Sequence, residues 1–137
     1  MLRGILILFC AVVVTGCSAI QHPAPTEPTV IAIRNSTDMD IQQVSLSSAS
    51  EGKNGAVRVG FISPLPKGVT QSIGRPTRAP SIPMQGRISW VNHLGRVVTR
   101  ELSLKEVLIN STGKAGEALV FEILTNKKVQ VKLEITP

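Results

Sequence analysis

From residue 29 onward, apolar and polar residues alternate with a period of two. The runs "TVIAIRN" (29–35), "IQQVSLSS" (41–48) and "AVRVGFI" (56–62) are short, rich in β-branched residues and separated by Asn, Asp, Ser and Gly clusters, the pattern of strands bounded by turns. "GRISWVN" (86–92) and "RVVTRELSL" (96–104) flank Asn92-His93-Leu94-Gly95, which predicts a hairpin with Gly95 at a positive φ. "EALVFEIL" (117–124) and "KVQVKLEIT" (128–136) flank Thr125-Asn126-Lys127, a second predicted hairpin. In the last run Val129, Val131, Leu133 and Ile135 share one face and Lys128, Gln130, Lys132, Glu134 and Thr136 the other, as in a half-buried antiparallel strand. "SLKEVLIN" (103–110) is long enough only for a helical turn. About seven strands in roughly 100 residues predict an all-β domain, a small antiparallel, immunoglobulin-like β-sandwich over 30–137, with a small barrel as the alternative. Trp90, Phe61 and Phe121 are expected to fill the core; a ligand-stacking role is the alternative for Trp90.

The first residues follow a different pattern. Arg3 precedes an apolar run from Ile5 to Val14, shorter than the roughly 20 residues that cross a bilayer and laid out like a secretory signal peptide. The run closes on Val14-Thr15-Gly16-Cys17, followed by "SAIQHPAPTEPT" (18–29) with prolines at 23, 25 and 28. Val14-Thr15-Gly16-Cys17 resembles the lipobox of bacterial lipoproteins: an aliphatic residue, two small residues and a cysteine. The resemblance implies a signal peptide over 1–16, cleavage between Gly16 and Cys17, and lipid on the Cys17 thiol and the new amino group. The membrane would then be met through N-terminal acyl chains such as palmitate, and two or more chains give lasting attachment. Ser18 after the cysteine resembles the outer-membrane sorting class, with the domain facing the periplasm. Residues 17–29 would form a tether that proline keeps extended, at roughly 3.1 Å per residue.

Composition narrows the function. Losing residues 1–16 removes Arg3 and no acid, so the net charge falls from +6 to +5. Cys10 would be cleaved away and Cys17 acylated, leaving no thiol for a disulfide or a nucleophile. Tyr is absent and aromatics are few, which disfavours carbohydrate and single-stranded nucleic-acid binding by base or sugar stacking. No Gly-x-Ser-x-Gly elbow occurs. His93 is expected in a turn and His22 in the tether, too few ligands for zinc. Asn35, Asp38 and Asp40 in "NSTDMD" could face calcium but lack the spacing of an EF-hand loop; they read better as Asx-type turn residues. Asn35-Ser36-Thr37 and Asn110-Ser111-Thr112 match glycosylation acceptors and are read as turns. No enzyme, cofactor or metal is expected beyond the lipid on Cys17.

The remaining feature is "SPLPKGVTQSIGRPTRAPSIPMQG" (63–86), rich in proline, with Lys67, Arg75 and Arg78, and Arg87 just after it. Long connections of this kind are often binding loops, and "VTQSI" could form a strand within it. The four cations make it the candidate binding loop for a carboxylate- or phosphate-bearing partner; the alternative is an edge connection whose prolines prevent aggregation. The expected role is a non-catalytic binding or accessory module of an envelope assembly, with an envelope protein as partner. The alternative is an inhibitor or immunity-type lipoprotein that captures a toxin or hydrolase.

Overall fold

The computed structural model describes residues 27–49, 58–74, 82–125 and 127–135. Eight strands form two four-stranded sheets packed face to face: β1 (Val30–Asn35), β2 (Gln43–Ser48), β3 (Arg58–Ile62), β4 (Thr70–Gly74), β5 (Gln85–Val91), β6 (Val97–Ser103), β7 (Glu117–Ile123) and β8 (Val129–Ile135), with one helical turn, α1 (Lys105–Leu108). The first sheet has the order β4-β1-β7-β8 and the second β3-β2-β5-β6. The protein is a β-sandwich, as its alternation predicts. The eighth strand is β4, formed by "TQSIG" inside the proline-rich segment and paired antiparallel to β1.

One pairing departs from the antiparallel expectation. β1 and β7 run parallel in register, Val30 opposite Ala118 through Asn35 opposite Ile123. Strands central to a sheet and covered on both sides lose the polar face of an alternating strand. Accordingly "EALVFEI" is nearly continuous in burial, and β1 buries Ile31, Ala32 and Ile33 in succession. β8, at the edge, keeps the alternation, with Val129, Val131 and Leu133 against the core and Ile135 exposed beyond it.

The core interleaves Ile31, Ile33, Leu119, Phe121 and Ile123 from one sheet with Val44, Leu46, Ile62, Ile88 and Trp90 from the other. Trp90 is 1% exposed, which removes it as a stacking platform. Its Nε1 is buried without a hydrogen-bond partner among the described residues. Phe61 is not in the core: it is 47% exposed. Opposite Leu46 and Ser47, β3 carries an extra residue, because Leu46 pairs with Gly60 but Ser47 with Arg58. The bulge at Val59 shifts the alternation by one. Val59, Gly60 and Ile62 therefore face the core, while Arg58 and Phe61 point outward, the guanidinium 5.5 Å from the ring centroid.

The bulge also brings β3 against β4. A Cβ on Gly60 would come within 2.9 Å of Ile73 Cγ2 and nearer still to Cδ1, so the sheets close only because residue 60 has no side chain. Gly60→Ala should destabilise the domain by about 1–3 kcal/mol through overpacking. The same substitution in an Ile73→Ala background should cost clearly less, a coupling that a double-mutant cycle of urea denaturation reads directly.

Strand directions define two ends. β1 and β7 finish, and β4 begins, at the end that carries the connections 36–42, 63–69, 92–96 and 124–128. The second sheet brings its own turns to that end, since Gln43 pairs with Val91 and Val44 with Ile62. β1 starts at the opposite end, where Glu27 accepts the Ile82 amide at 3.1 Å. That end is closed by the β6–β7 connection. Within it the buried Glu117 carboxylate accepts the Ser111 hydroxyl at 2.6 Å and the Thr112 and Gly113 amides at 3.0 and 2.8 Å. These bonds, the hydroxyl first, hold the Glu117 pKa below the usual carboxylate value.

Candidate functional site

The segment 63–87 divides into anchored and displaced parts. Leu65 is fully buried and pairs with Ile41, N to O in both directions, at 2.9 and 3.0 Å. Ile82 is buried as well. Lys67 lies in the exposed turn between Leu65 and β4, its amide donating to Asp40 Oδ1 at 2.9 Å. Arg87 is in β5, on the outer face of the second sheet, and its Nη2 lies 2.6 Å from Glu101 Oε1. It therefore carries its own counter-charge. Lys67 is tied to Asp40 at one end of the sandwich, whereas Arg87 pairs with Ser47 at the far end of β2. Seven residues of extended chain put them roughly 23 Å apart. The structure does not bring Lys67 and Arg87 together. Arg75, Arg78, Gly16 and Cys17 lie outside the described residues.

The "NSTDMD" turn is organised by Asn35, whose side chain is fully buried. Its Nδ2 donates to the carbonyls of Met39 and Leu65 at 2.9 and 3.0 Å, and its Oδ1 accepts the Thr37 amide and hydroxyl at 3.0 and 2.7 Å. The Asx-turn expectation holds for Asn35, which links the β1–β2 and β3–β4 connections, whereas Asp40 accepts the amide of the distant Lys67. Asn35→Ala removes all four of the Asn35 side-chain bonds from a buried site and should cost about 2–3 kcal/mol. Asp38→Asn, at an exposed site, should stay within about 0.5 kcal/mol. Denaturant midpoints of the two variants would separate them.

The outer face of the first sheet carries the densest charge cluster. Arg34 on β1 forks onto Glu134 on β8, Nη1 to Oε1 at 2.9 Å and Nη2 to Oε2 at 2.7 Å, and its Nε donates to Thr70 Oγ1 at 2.9 Å. Lys132 bridges Glu122 and Glu134 at 2.8 and 2.9 Å, and the Ser36 hydroxyl donates to Glu122 at 2.6 Å. By the register, Arg34 and Glu134 sit two rows apart across β7, so their contact passes over the row of Ala32 and Val120. That crossing accounts for a buried apolar floor of Ala32, Ala118 and Val120 on an outward face. Bonds from Arg34 and then Lys132 hold the Glu134 pKa down to about 2, and Lys132 and Ser36 lower that of Glu122. The Arg34 and Lys132 pKa values are raised by the same contacts.

A carboxylate whose folded pKa is depressed stabilises the fold above its unfolded pKa and loses that contribution as pH falls through the folded value. Glu134→Gln should therefore be less stable than the wild type at pH 7, by about 1 kcal/mol for a networked surface pair. The gap should close between about pH 4.5 and pH 2, read as the difference in urea midpoint along the titration.

A second basic grouping was not foreseen as a site. The 92–96 turn is fixed by the buried Asn92, whose Oδ1 accepts the Leu94 and Arg96 amides at 3.0 Å each, with Gly95 at φ 74°. The 124–128 turn is fixed by Thr125 Oγ1, which accepts the Lys127 and Lys128 amides at 3.2 and 3.1 Å. Arg100, on the inner side of edge strand β6, joins that strand to the 124–128 turn, donating Nε to the Lys127 carbonyl at 2.8 Å and Nη1 to the Thr99 carbonyl at 2.7 Å. Arg96 and the adjacent Lys127 and Lys128 are visible in the sequence, but only the packing of β6 beside the β7–β8 turn brings their two turns to the same end of the sandwich. His93 is an exposed turn residue, as expected.

Within the core a void of about 10 Å³, lined by apolar side chains such as Ile31, Leu46, Ile82 and Phe121, has room for about one water. Among the described residues no group of three or more His, Cys, Asp or Glu is placed to hold a metal ion, and no helix is long and apolar enough to cross a membrane.

No protein-family model matches the chain, and no curated protein matches it. Among solved structures, an NMR structure of a protein from Eubacterium rectale is similar at 12% identity with a TM-score of 0.44, covering 82% of this chain and 91% of that one.

Proposed function

We propose that this chain is a lipid-anchored bacterial envelope protein, held at Cys17 and acting as a non-catalytic binding or accessory module of an envelope assembly. The observation that carries the reading is the lipobox-like Val14-Thr15-Gly16-Cys17 followed by a proline-rich stretch. The course of β1 agrees with it. The tether would enter the sandwich where β1 begins, so the connections at 36–42, 63–69, 92–96 and 124–128 lie at the opposite end, facing away from the anchoring membrane. A tether of about a dozen extended residues stands the domain some tens of ångströms off that membrane, reach suited to meeting another envelope component. Ser18 favours the outer membrane and the single-Arg leader a Gram-negative envelope, with the domain in the periplasm and an envelope protein as partner.

Cys17→Ala removes the thiol that accepts lipid. Expressed in a Gram-negative envelope, the variant should accumulate as uncleaved precursor and incorporate no labelled palmitate. The wild type should lose residues 1–16 and gain the mass of its acyl chains at Cys17. Normal cleavage of the variant, read by mass spectrometry of the N-terminal peptide, would contradict the anchor.

A further inference from the structure

The 92–97 and 124–128 turns, at one end of the sandwich, combine four properties. This corner is cationic: Arg96, Lys127 and Lys128 are exposed, and none forms an ion pair with a described carboxylate. By contrast, Arg34 and Lys132 are neutralised by Glu122 and Glu134, and Arg87 by Glu101. The corner is also apolar, because Leu94 and Val97, either side of Arg96 in the chain, are 62% and 70% exposed. It is rigid, since Asn92 and Thr125 hold the turn amides and Arg100 ties β6 to the 124–128 turn. Lastly, it sits at the end of the sandwich remote from the start of β1.

These properties bear on what could bind. Exposed apolar side chains beside exposed cations match an interface with a small hydrophobic centre and a charged rim. Unpaired cations steer an oppositely charged partner and disfavour a basic one. Turns already held in one conformation lose less entropy on docking. A phosphate-only ligand would have no use for Leu94 and Val97, and the anchoring membrane would lie at the other end of the domain.

We infer that this corner is the docking surface for an acidic segment of a partner protein, whose Asp or Glu side chains face Arg96, Lys127 and Lys128 while an apolar residue covers Leu94 and Val97. The inference rests on the binding-module reading and moves its contact surface from the 63–87 segment to the two hairpin turns. Arg100 is a positioning residue, its guanidinium already engaged with two carbonyls.

The test uses the full-length protein in its own envelope, with a photo-crosslinking benzophenone amino acid in place of Leu94 and, separately, of Lys67 and of Ile109, which is exposed at the opposite end. Adduct sites on the captured chain are read by mass spectrometry of crosslinked peptides. The expected result is a protein adduct at position 94 that maps to an Asp/Glu-rich segment and falls at least tenfold in the Arg96→Glu, Lys127→Glu, Lys128→Glu variant. The urea midpoint of that variant confirms that it is folded. An adduct to lipid or glycan, a non-acidic target, or an adduct indifferent to charge reversal overturns the docking surface. Protein adducts at 67 or 109 with none at 94 overturn the corner and leave the binding-module reading standing. No protein adduct at any of the three positions overturns both.

Discussion

The parallel pairing of β1 with β7 is the constraint on which the rest of the structure depends. It joins residues nearly ninety positions apart, Val30 with Ala118 through Asn35 with Ile123, and it makes both strands central, so both bury two faces. The inward residues Ile31, Ile33, Leu119 and Phe121 form the floor of the core. The outward ones, Ala32, Ala118 and Val120, need a cover, and the Arg34–Glu134 fork laid across β7 supplies it. β4 and β8 are then added at the two edges. Because β1 and β7 end together, their loops share one end of the sandwich with the turns of the second sheet.

That arrangement separates two kinds of charge. On the outer face of the first sheet, cations and anions satisfy one another around a buried apolar patch, a structural use of charge. At the loop end, Arg96, Lys127 and Lys128 are left with no acidic neighbour among the described residues, on turns that hydrogen bonds hold still. Charge that stabilises a fold is paired; charge that waits for a partner is not. In the proposed anchored state the chain enters at one end and offers this unpaired charge at the other, which gives the tether a geometric purpose.

Much of the architecture was legible in the sequence, because period-two alternation specifies strands directly. β8 follows from Val129, Val131 and Leu133 alone, and the 92–96 hairpin from Asn92 and Gly95. "TQSI" was recognisable as a strand even amid prolines. Phe61 was misplaced because a bulge at Val59 reverses the alternation, and a bulge leaves no mark in a single sequence other than Gly60. The parallel β1–β7 pair was hidden because alternation reports burial and not the direction of a neighbour. For the site, Arg87 appeared as a free cation, though counting outward from the 92–96 turn places Glu101 directly opposite it. The pairing of Arg34 with Glu134 depends on the strand order within the first sheet, and the sharing of one end by Arg96, Lys127 and Lys128 on how the two sheets stack. No local pattern encodes that.

Native-state hydrogen exchange of the full-length protein tests the central claim most directly, because protection reports which strands open last. The amides of Ile31–Ile33 on β1 and Leu119–Phe121 on β7 should exchange slowest and with similar free energies of opening. Those of the edge strands β4, β6 and β8 should exchange faster. Exchange from β1 as fast as from β8, with β7 still protected, would mean that the two strands are not one central pair, and the account of both ends of the sandwich would fail with it.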